Sequence, residues 1–441
     1  MSAANKTPAF SLQIVVHETG LTPDTLRAWE RRYGLPQPER TAGGHRLYSQ
    51  DDIDMLKWLV ARKAEGVSIS RAVQLWRQLA AEDQGPESSA PSGSQAVALP
   101  AERAPAAGDH LVHIRRAWLT AGLAFDEGRA EDILSEAFAL FPPEVVCLTV
   151  VQKGLSEIGE AWYQNRASVQ QEHFISALAM RRLQALLAAA PPPARLGRIL
   201  IGCPPGEEHS FSALLLAWLL RRQGWPVTYL GANVPLLRLE EALAAIKPKL
   251  VVMPAQRLPS AAALLEMASF LGQQGQALAY GGRIFKLHPT LPTRIPGYYL
   301  GDDLAQAGQM VERIITLSPP LSPIEVASAA HQAALHHFRE RQTLLEGQIW
   351  QNVAGQNIPH LRQLAIANQE LTTTIVSALA LGDMALADEA ITWVSGLLGH
   401  HRLDLRQLHH YLALYHRLAA DILDERGAPI LAWLERVTND E

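Results

Sequence analysis

The sequence is short of several things at once. It has two cysteines, Cys147 and Cys203, far apart in 441 residues. That excludes a disulfide framework or a thiolate metal cage, and makes a reducing, cytoplasmic compartment the expected one. Long hydrophobic runs are missing too. The longest, residues 213–220, is far below the roughly 20 residues a membrane span needs, and the N-terminus lacks a charged-then-apolar leader pattern. Positive charge is not in excess: 39 Lys plus Arg stand against 44 Asp plus Glu, a formal net charge of −5. This excludes a polybasic coat for nucleic acid or anionic membrane, but it allows one basic module inside an acidic whole. No solenoid repeat or long charge block is visible. What is present is 48% apolar residues, enough at roughly 150 residues per domain for about three domains with buried cores.

Composition cuts the chain into pieces. Residues 81–108 are rich in Pro, Ser, Gly and Ala, with almost no large apolar side chain. They cannot bury enough surface to offset ordering entropy, so a flexible linker is expected there. Further breaks fall at Ala190-Pro-Pro-Pro193 and Ser318-Pro-Pro-Leu-Ser-Pro323. The pieces are residues 8–80, 109–190, 196–317 and 322–438. The first reads as short helices, with Pro23 opening one of them. Residues 109–190 show helical spacing throughout, as at Leu134, Phe138 and Phe141. In the third piece short apolar runs at 198–202, 227–230, 250–253, 277–280 and 298–300 alternate with helix-like segments, the pattern of a doubly wound parallel sheet. The last piece is helical again. The expected fold class is therefore multidomain α and α/β.

The first piece carries its own chemistry. From Arg27 to Arg46 there are five Arg (27, 31, 32, 40 and 46) against Glu30 and Glu39. Arg27, Arg31 and Arg32 share one helix with Trp29 and Tyr33, a spacing that reaches phosphates and base edges. A Gly-hinged loop then ends in His45, Arg46 and Tyr48, suited to gripping the backbone. The phrase Leu26-Arg-Ala-Trp-Glu-Arg-Arg-Tyr-Gly-Leu-Pro36 through Gly43-Gly-His-Arg-Leu-Tyr48 resembles the winged-helix DNA-binding domain of MerR-type regulators. The resemblance implies binding of double-stranded operator DNA by a homo-oligomer, dimer or tetramer. Arg27, Arg31, Arg32, His45, Arg46 and Tyr48 would be the contacts.

The third piece marks a site after its first strand, Cys203-Pro-Pro-Gly-Glu-Glu-His209-Ser-Phe-Ser212, where parallel sheets dock ligands. Glu207 lies two residues before His209, and a carboxylate on one imidazole nitrogen raises the basicity of the other, as a metal-ligating His needs. Gly281 and Gly282 permit close backbone approach by a bulky ligand. Residues 196–317 resemble the cobalamin-binding Rossmann-like domain, whose acidic-x-His-x-x-Gly motif is matched by Glu207-Glu-His209-Ser-Phe-Ser212. The resemblance implies that His209 is the lower axial ligand of cobalt, that Gly281 and Gly282 flank the nucleotide tail, and that Ser212 replaces a glycine. In the preceding piece Trp162, nine residues, then Glu172-His173 resembles the four-helix cap of CarH/LitR-type light-sensing repressors. There Trp162, Glu172 and His173 would cover adenosylcobalamin. Tyr163 stands where the best-known members place a His that captures cobalt after photolysis. A phenol is a poor cobalt ligand, so no bis-His photoproduct is expected through this position.

The last piece is rich in His, with His331, His336, His337, His360, His400, His401, His409, His410 and His416. It reads as a packing or dimerisation module, or as a second chromophore site. In helical character and position alone it resembles the pseudo-globin bilin-binding domain of photocobilins. Having no Cys, it excludes a thioether link, so a bilin such as biliverdin would be noncovalent; a zinc site is a third option. The expected function is a light-responsive transcriptional regulator, not an enzyme, in which photolysis alters oligomerisation and DNA binding. A bilin or dual bilin/cobalamin photoreceptor, a corrinoid methyl carrier and a cobalamin-free protein–protein regulator remain alternatives.

Overall fold

The computed structural model describes residues 10–64 apart from 20, 22, 37 and 41–45, then residues 69, 73 and 76, and then 107–354 and 361–439. The linker expected over 81–108, except for its last two residues, lies outside these, as do His45 and His360. The chain divides into two compact units, Met1–Trp118 with Gly128–Val146, and Leu119–Glu127 with Cys147–Glu441.

In the first unit the short strand β1 (Phe10–Ser11) leads to α1 (Leu12–Thr19) and α2 (Pro23–Tyr33). After them come β2 (Glu39–Arg40), β3 (Arg46–Tyr48) and α3 (Gln50–Ala64). The strands form an antiparallel sheet in the order β1-β3-β2, so β3 is central. Ser49 starts α3: its hydroxyl accepts from the Asp52 amide at 3.1 Å, while the Asp52 carboxylate accepts from the Ser49 amide at 2.9 Å. Two orphan amides at the helix start are thus satisfied reciprocally. Val15, Leu26, Trp29, Tyr48, Ile53, Leu56 and Leu59 form the core. The helices α4 (Ala107–Leu123), α5 (Glu127–Leu140) and α6 (Pro143–Val146) follow. The division between the units runs through this helical stretch, near the ends of α4 and α6.

In the second unit a π-helical stretch, Cys147–Gln152, feeds α7 (Lys153–Tyr163), and α8 (Val169–Ala188) comes next. Ser168 and Gln171 cap α8 reciprocally, and Gln171 Nε2 also donates to the Leu123 carbonyl at 2.7 Å. The five parallel strands are β4 (Ile199–Gly202), β5 (Val227–Gly231), β6 (Leu250–Pro254), β7 (Leu278–Gly281) and β8 (Tyr298–Tyr299). Their order is β5-β4-β6-β7-β8, the doubly wound arrangement in which the strand order reverses between β4 and β6. Each of the five apolar runs falls on one of these strands.

Side chains alternate between the two sheet faces, as the pleat requires. Ile199, Ile201, Leu250, Val252 and Ala279 face α9 (Phe211–Arg222) and α13 (Leu304–Leu317). α9 is buried continuously from Ala213 to Leu220, because α8 packs on it from the other side. Leu200, Val251, Met253, Leu278 and Tyr280 face the opposite way, toward α10 (Leu239–Ile246), α11 (Leu258–Gln273) and α12 (Arg283–Leu287). The C-terminal helices continue that second core. They are α14 (Ala329–Ala354), α15 (Leu361–Leu381), α16 (Asp388–His400), α17 (Leu405–Ile422) and α18 (Ala428–Asn439). α15 lies on α11, and Leu264, Met267 and Leu271 join Leu371, Ile375 and Leu379 in one apolar cluster with Phe338, Tyr415 and Trp433. Among the described residues no helix is long and apolar enough to cross a membrane.

Candidate functional site

The β4/β6 switch point gathers polar groups from three turns. Glu207 is 1% exposed, and its carboxylate is the hub. One oxygen accepts from the His209 amide at 2.9 Å and contacts His209 Nδ1 at 2.7 Å. The other accepts from the Gln256 amide at 2.8 Å and from Ser260 Oγ at 2.6 Å. Burial by itself pushes this carboxyl up. The hydrogen bonds from His209, Ser260 and the Gln256 amide outweigh that and hold it below its ordinary value. An ionised Glu207 can only accept, so Nδ1 of His209 carries a proton, and in the neutral imidazole the lone pair is on Nε2. That imidazole is mostly exposed, at 64% of its side-chain surface. A buried carboxylate therefore presents an imidazole nitrogen outward at the place where doubly wound sheets bind ligands.

Gln256 ties in the remaining residues. Its side-chain amide donates to Ser212 Oγ at 2.9 Å, and its Oε1 accepts from the Arg283 amide at 2.9 Å, at the turn that holds Gly281 and Gly282. Gly282 has φ +123, and a Cβ there would overlap the Ala255 backbone oxygen, so the turn admits only glycine without rearrangement. Ser212 is thus a brace for Gln256. Asn233, in left-handed conformation at φ 51, accepts from the Gly206 amide at 2.9 Å and steadies the same loop. Burial, with Glu207 and Glu208 nearby, pushes the Cys203 thiol up to about 12. Sequence reading found Glu207, His209, Ser212, Gly281 and Gly282. It missed Gln256, Ser260 and Asn233, which carry no spacing signal and reach the site only through folding.

The residues expected to cap a cofactor fall into two groups within the second unit. Trp162, at the end of α7, lies 6.1 Å from Trp393 by ring centroids. Glu172 and His173, in the first turn of α8, pair with each other at 2.6 Å, and Glu172 also accepts from Ser176 Oγ at 2.6 Å. Beside them Phe125, 51% exposed and left-handed at φ 55, packs on Phe174 with ring centroids 5.3 Å apart and planes tilted by 54°.

The residues expected to touch DNA are more mixed. Arg27 is exposed on α2. Arg31 and Arg32 lie on the same helix, but their side chains fall outside the described residues, as does His45. Arg46 is half-buried, with Nε bonded to Glu30 at 2.9 Å. Tyr48 is a correction: it is 1% exposed and belongs to the hydrophobic core. As part of the central strand β3, it packs inward under α1 and α3, so its ring supports the fold and does not reach a nucleic acid.

The donor set fits a metal that brings its own ligands. Among the described residues no group of three or more His, Cys, Asp or Glu side chains could hold a metal ion. A protein-held zinc therefore has no cage there, whereas a single oriented imidazole suits one axial position of a corrin-bound cobalt.

The family described as MerR HTH family regulatory protein matches residues 10–79, and the one described as B12 binding domain matches residues 114–187. The HTH-type transcriptional repressor CarH of Myxococcus xanthus is 36% identical over 246 residues, 55% of this chain and 77% of that protein. The HTH-type transcriptional repressor CarA of the same organism is 32% identical over 245 residues, 55% of this chain and 75% of that protein. The HTH-type transcriptional regulator MlrA of Escherichia coli (strain K12) is 47% identical over 55 residues, 12% of this chain and 23% of that protein. The chain belongs to the CarH-like family of transcriptional regulators, which join a MerR-type DNA-binding domain to a B12-binding domain.

Proposed function

We propose that the protein is a cytoplasmic, light-responsive transcriptional regulator that reads adenosylcobalamin and is not an enzyme. The observation that carries this is the buried Glu207 holding His209 at the sheet switch point, in a chain whose N-terminal segment matches a DNA-binding family. The working pieces would be residues 8–80 for DNA, 109–190 for the cap, 196–317 for the corrin, and 322–438 as a packing module on the sheet. Bound adenosylcobalamin would supply a cobalt–carbon bond that light breaks. His209 Nε2 would hold the cobalt, with Glu207 fixing its tautomer. Ser212, through Gln256, keeps the Gly281–Gly282 turn open for the nucleotide tail. Trp162, Glu172 and His173 would contact the upper group and register its loss. That contact would favour one homo-oligomeric assembly over another, and its removal would shift the population. Arg27, Arg31, Arg32, His45 and Arg46 would grip operator DNA.

The test is an absorption spectrum of the full chain reconstituted in darkness with adenosylcobalamin and biliverdin, recorded before and after green and red light, with operator DNA retention measured alongside. A green-light change in the cobalamin bands with altered DNA retention is expected. An unchanged spectrum and unchanged DNA binding would sink the reading. A second reading, a noncovalent bilin among the C-terminal helices, draws on the Asn368 amide nitrogen, which is buried there without a partner. A new red band with biliverdin would support it, and its absence would remove it.

A further inference from the structure

α16 is unlike its neighbours in having no buried residue along its length. Ile391 packs on the second core, and polar contacts hold the first turn. Glu389 pairs with His288 at 2.9 Å, and Asp388 accepts from Trp433 Nε1 and Arg436 Nη2, each at 2.8 Å. The other end of the helix meets α7. Trp393 lies 6.1 Å from Trp162 and 5.8 Å from Tyr163, stacked on the phenol at 27°. His400 meets Tyr163 edge-on at 5.0 Å, and Asn165 Nδ2 donates to the His400 carbonyl at 3.5 Å. Gly396 makes the close approach possible, because a Cβ there would overlap the Tyr163 hydroxyl.

Trp162 and Tyr163 are only half-buried, so their ring orientation depends on these neighbours. Aromatic pairs at such separations have preferred geometries and resist displacement. A helix with no fully buried residue of its own is also the kind that yields first. We propose that Trp393 and Gly396 of α16 are positioning residues for the Trp162–Tyr163 pair, so that the C-terminal helices set which upper group the cap accepts. This rests on the cofactor reading above.

The experiment titrates the full chain in darkness with adenosylcobalamin and, separately, with cyanocobalamin, whose upper group is small, following absorbance. Trp393→Ala and Gly396→Ala are each expected to weaken adenosylcobalamin about tenfold, the loss of one to two ring contacts, with cyanocobalamin unchanged. Trp393→Phe is expected to restore most of the affinity. In the cofactor-free protein, Trp393→Ala should diminish the near-ultraviolet circular dichroism while the far-ultraviolet signal stays. Unchanged adenosylcobalamin affinity in both variants overturns the proposal, and so does equal weakening of the two cobalamins. If the parent chain binds neither cobalamin, the cofactor reading itself fails, which is a separate result.

Discussion

Glu207→Ala is the most informative perturbation. The carboxylate receives the amides of His209 and Gln256, Ser260 Oγ and the His209 ring. Two of these donors have other recourse: the ring is exposed and can turn to water, and Ser260 Oγ already lies 2.8 Å from the Arg257 carbonyl. The two amides, each in a part-buried bond, lose this acceptor. Leaving a fully buried donor unsatisfied costs about 1–3 kcal/mol, so the loss should be at most about 2–6 kcal/mol before any cavity is counted, and less where water reaches the amides. Glu207→Gln separates stability from tautomer. If its oxygen stays with Gln256 and Ser260, its NH2 faces His209, orphans that amide and obliges Nδ1 to accept. The imidazole proton then moves to Nε2. The expected cost is about 1–3 kcal/mol, with Nε2 no longer available as a lone-pair donor. Urea unfolding followed by circular dichroism measures the first quantity, and nitrogen NMR of the His209 ring measures the second. A Glu207→Ala variant within about 1 kcal/mol of the parent, or a Glu207→Gln ring still protonated on Nδ1, would refute the reasoning.

Other outcomes follow from the same geometry. Gly282→Ala places a methyl on the Ala255 backbone oxygen at a left-handed φ and should cost about 3 kcal/mol in urea unfolding; a neutral result would mean the turn relaxes freely. Cys147 and Cys203 are both buried, and Cys203 is pushed up to about 12, so neither should react with a thiol reagent at pH 8 until the protein unfolds. The Arg426 guanidinium holds the Asp424 carboxyl well below its usual range. A depressed folded value means the stabilisation is present above the unfolded value, about 3.9, and is lost as pH falls through the folded one. The stability gap between the parent and Asp424→Asn should therefore shrink steadily as pH drops below about 4, and a constant gap would contradict the assignment. Arg46→Ala should weaken binding to all DNA sequences and flatten the salt dependence by about one unit of slope; an unchanged slope would remove Arg46 from the phosphate contacts.

The parallel sheet was legible because strands buried on both faces read as continuous apolar runs between turns. α2 was equally legible, its start marked by Pro23 and its end by Gly34. Tyr48 was misread for a topological reason. A loop aromatic beside two basic residues suits a backbone grip, but only the pairing of β3 with both β1 and β2 shows that the ring points into the core. The Glu207–His209 pair was visible because its members are two residues apart. Gln256 and Ser260 lie 49 and 53 residues from Glu207, and no local pattern announces such a meeting. The C-terminal helices showed their period but not their partner, because an amphipathic face does not say which surface covers it.

The shared core of α11 and α15 bears on how this chain can be dissected. A version cut after α13, made to resemble a simpler repressor, would leave Leu264, Met267 and Leu271 facing water where Leu371, Ile375 and Leu379 had been. Such a fragment would lose the outer wall of its sheet domain and expose a continuous apolar strip, the usual route to aggregation. The sheet domain is thus not a cassette with an appendage. Its apolar strip stays covered only with the C-terminal helices in place, and any study of cofactor binding should keep residues 109–439 together.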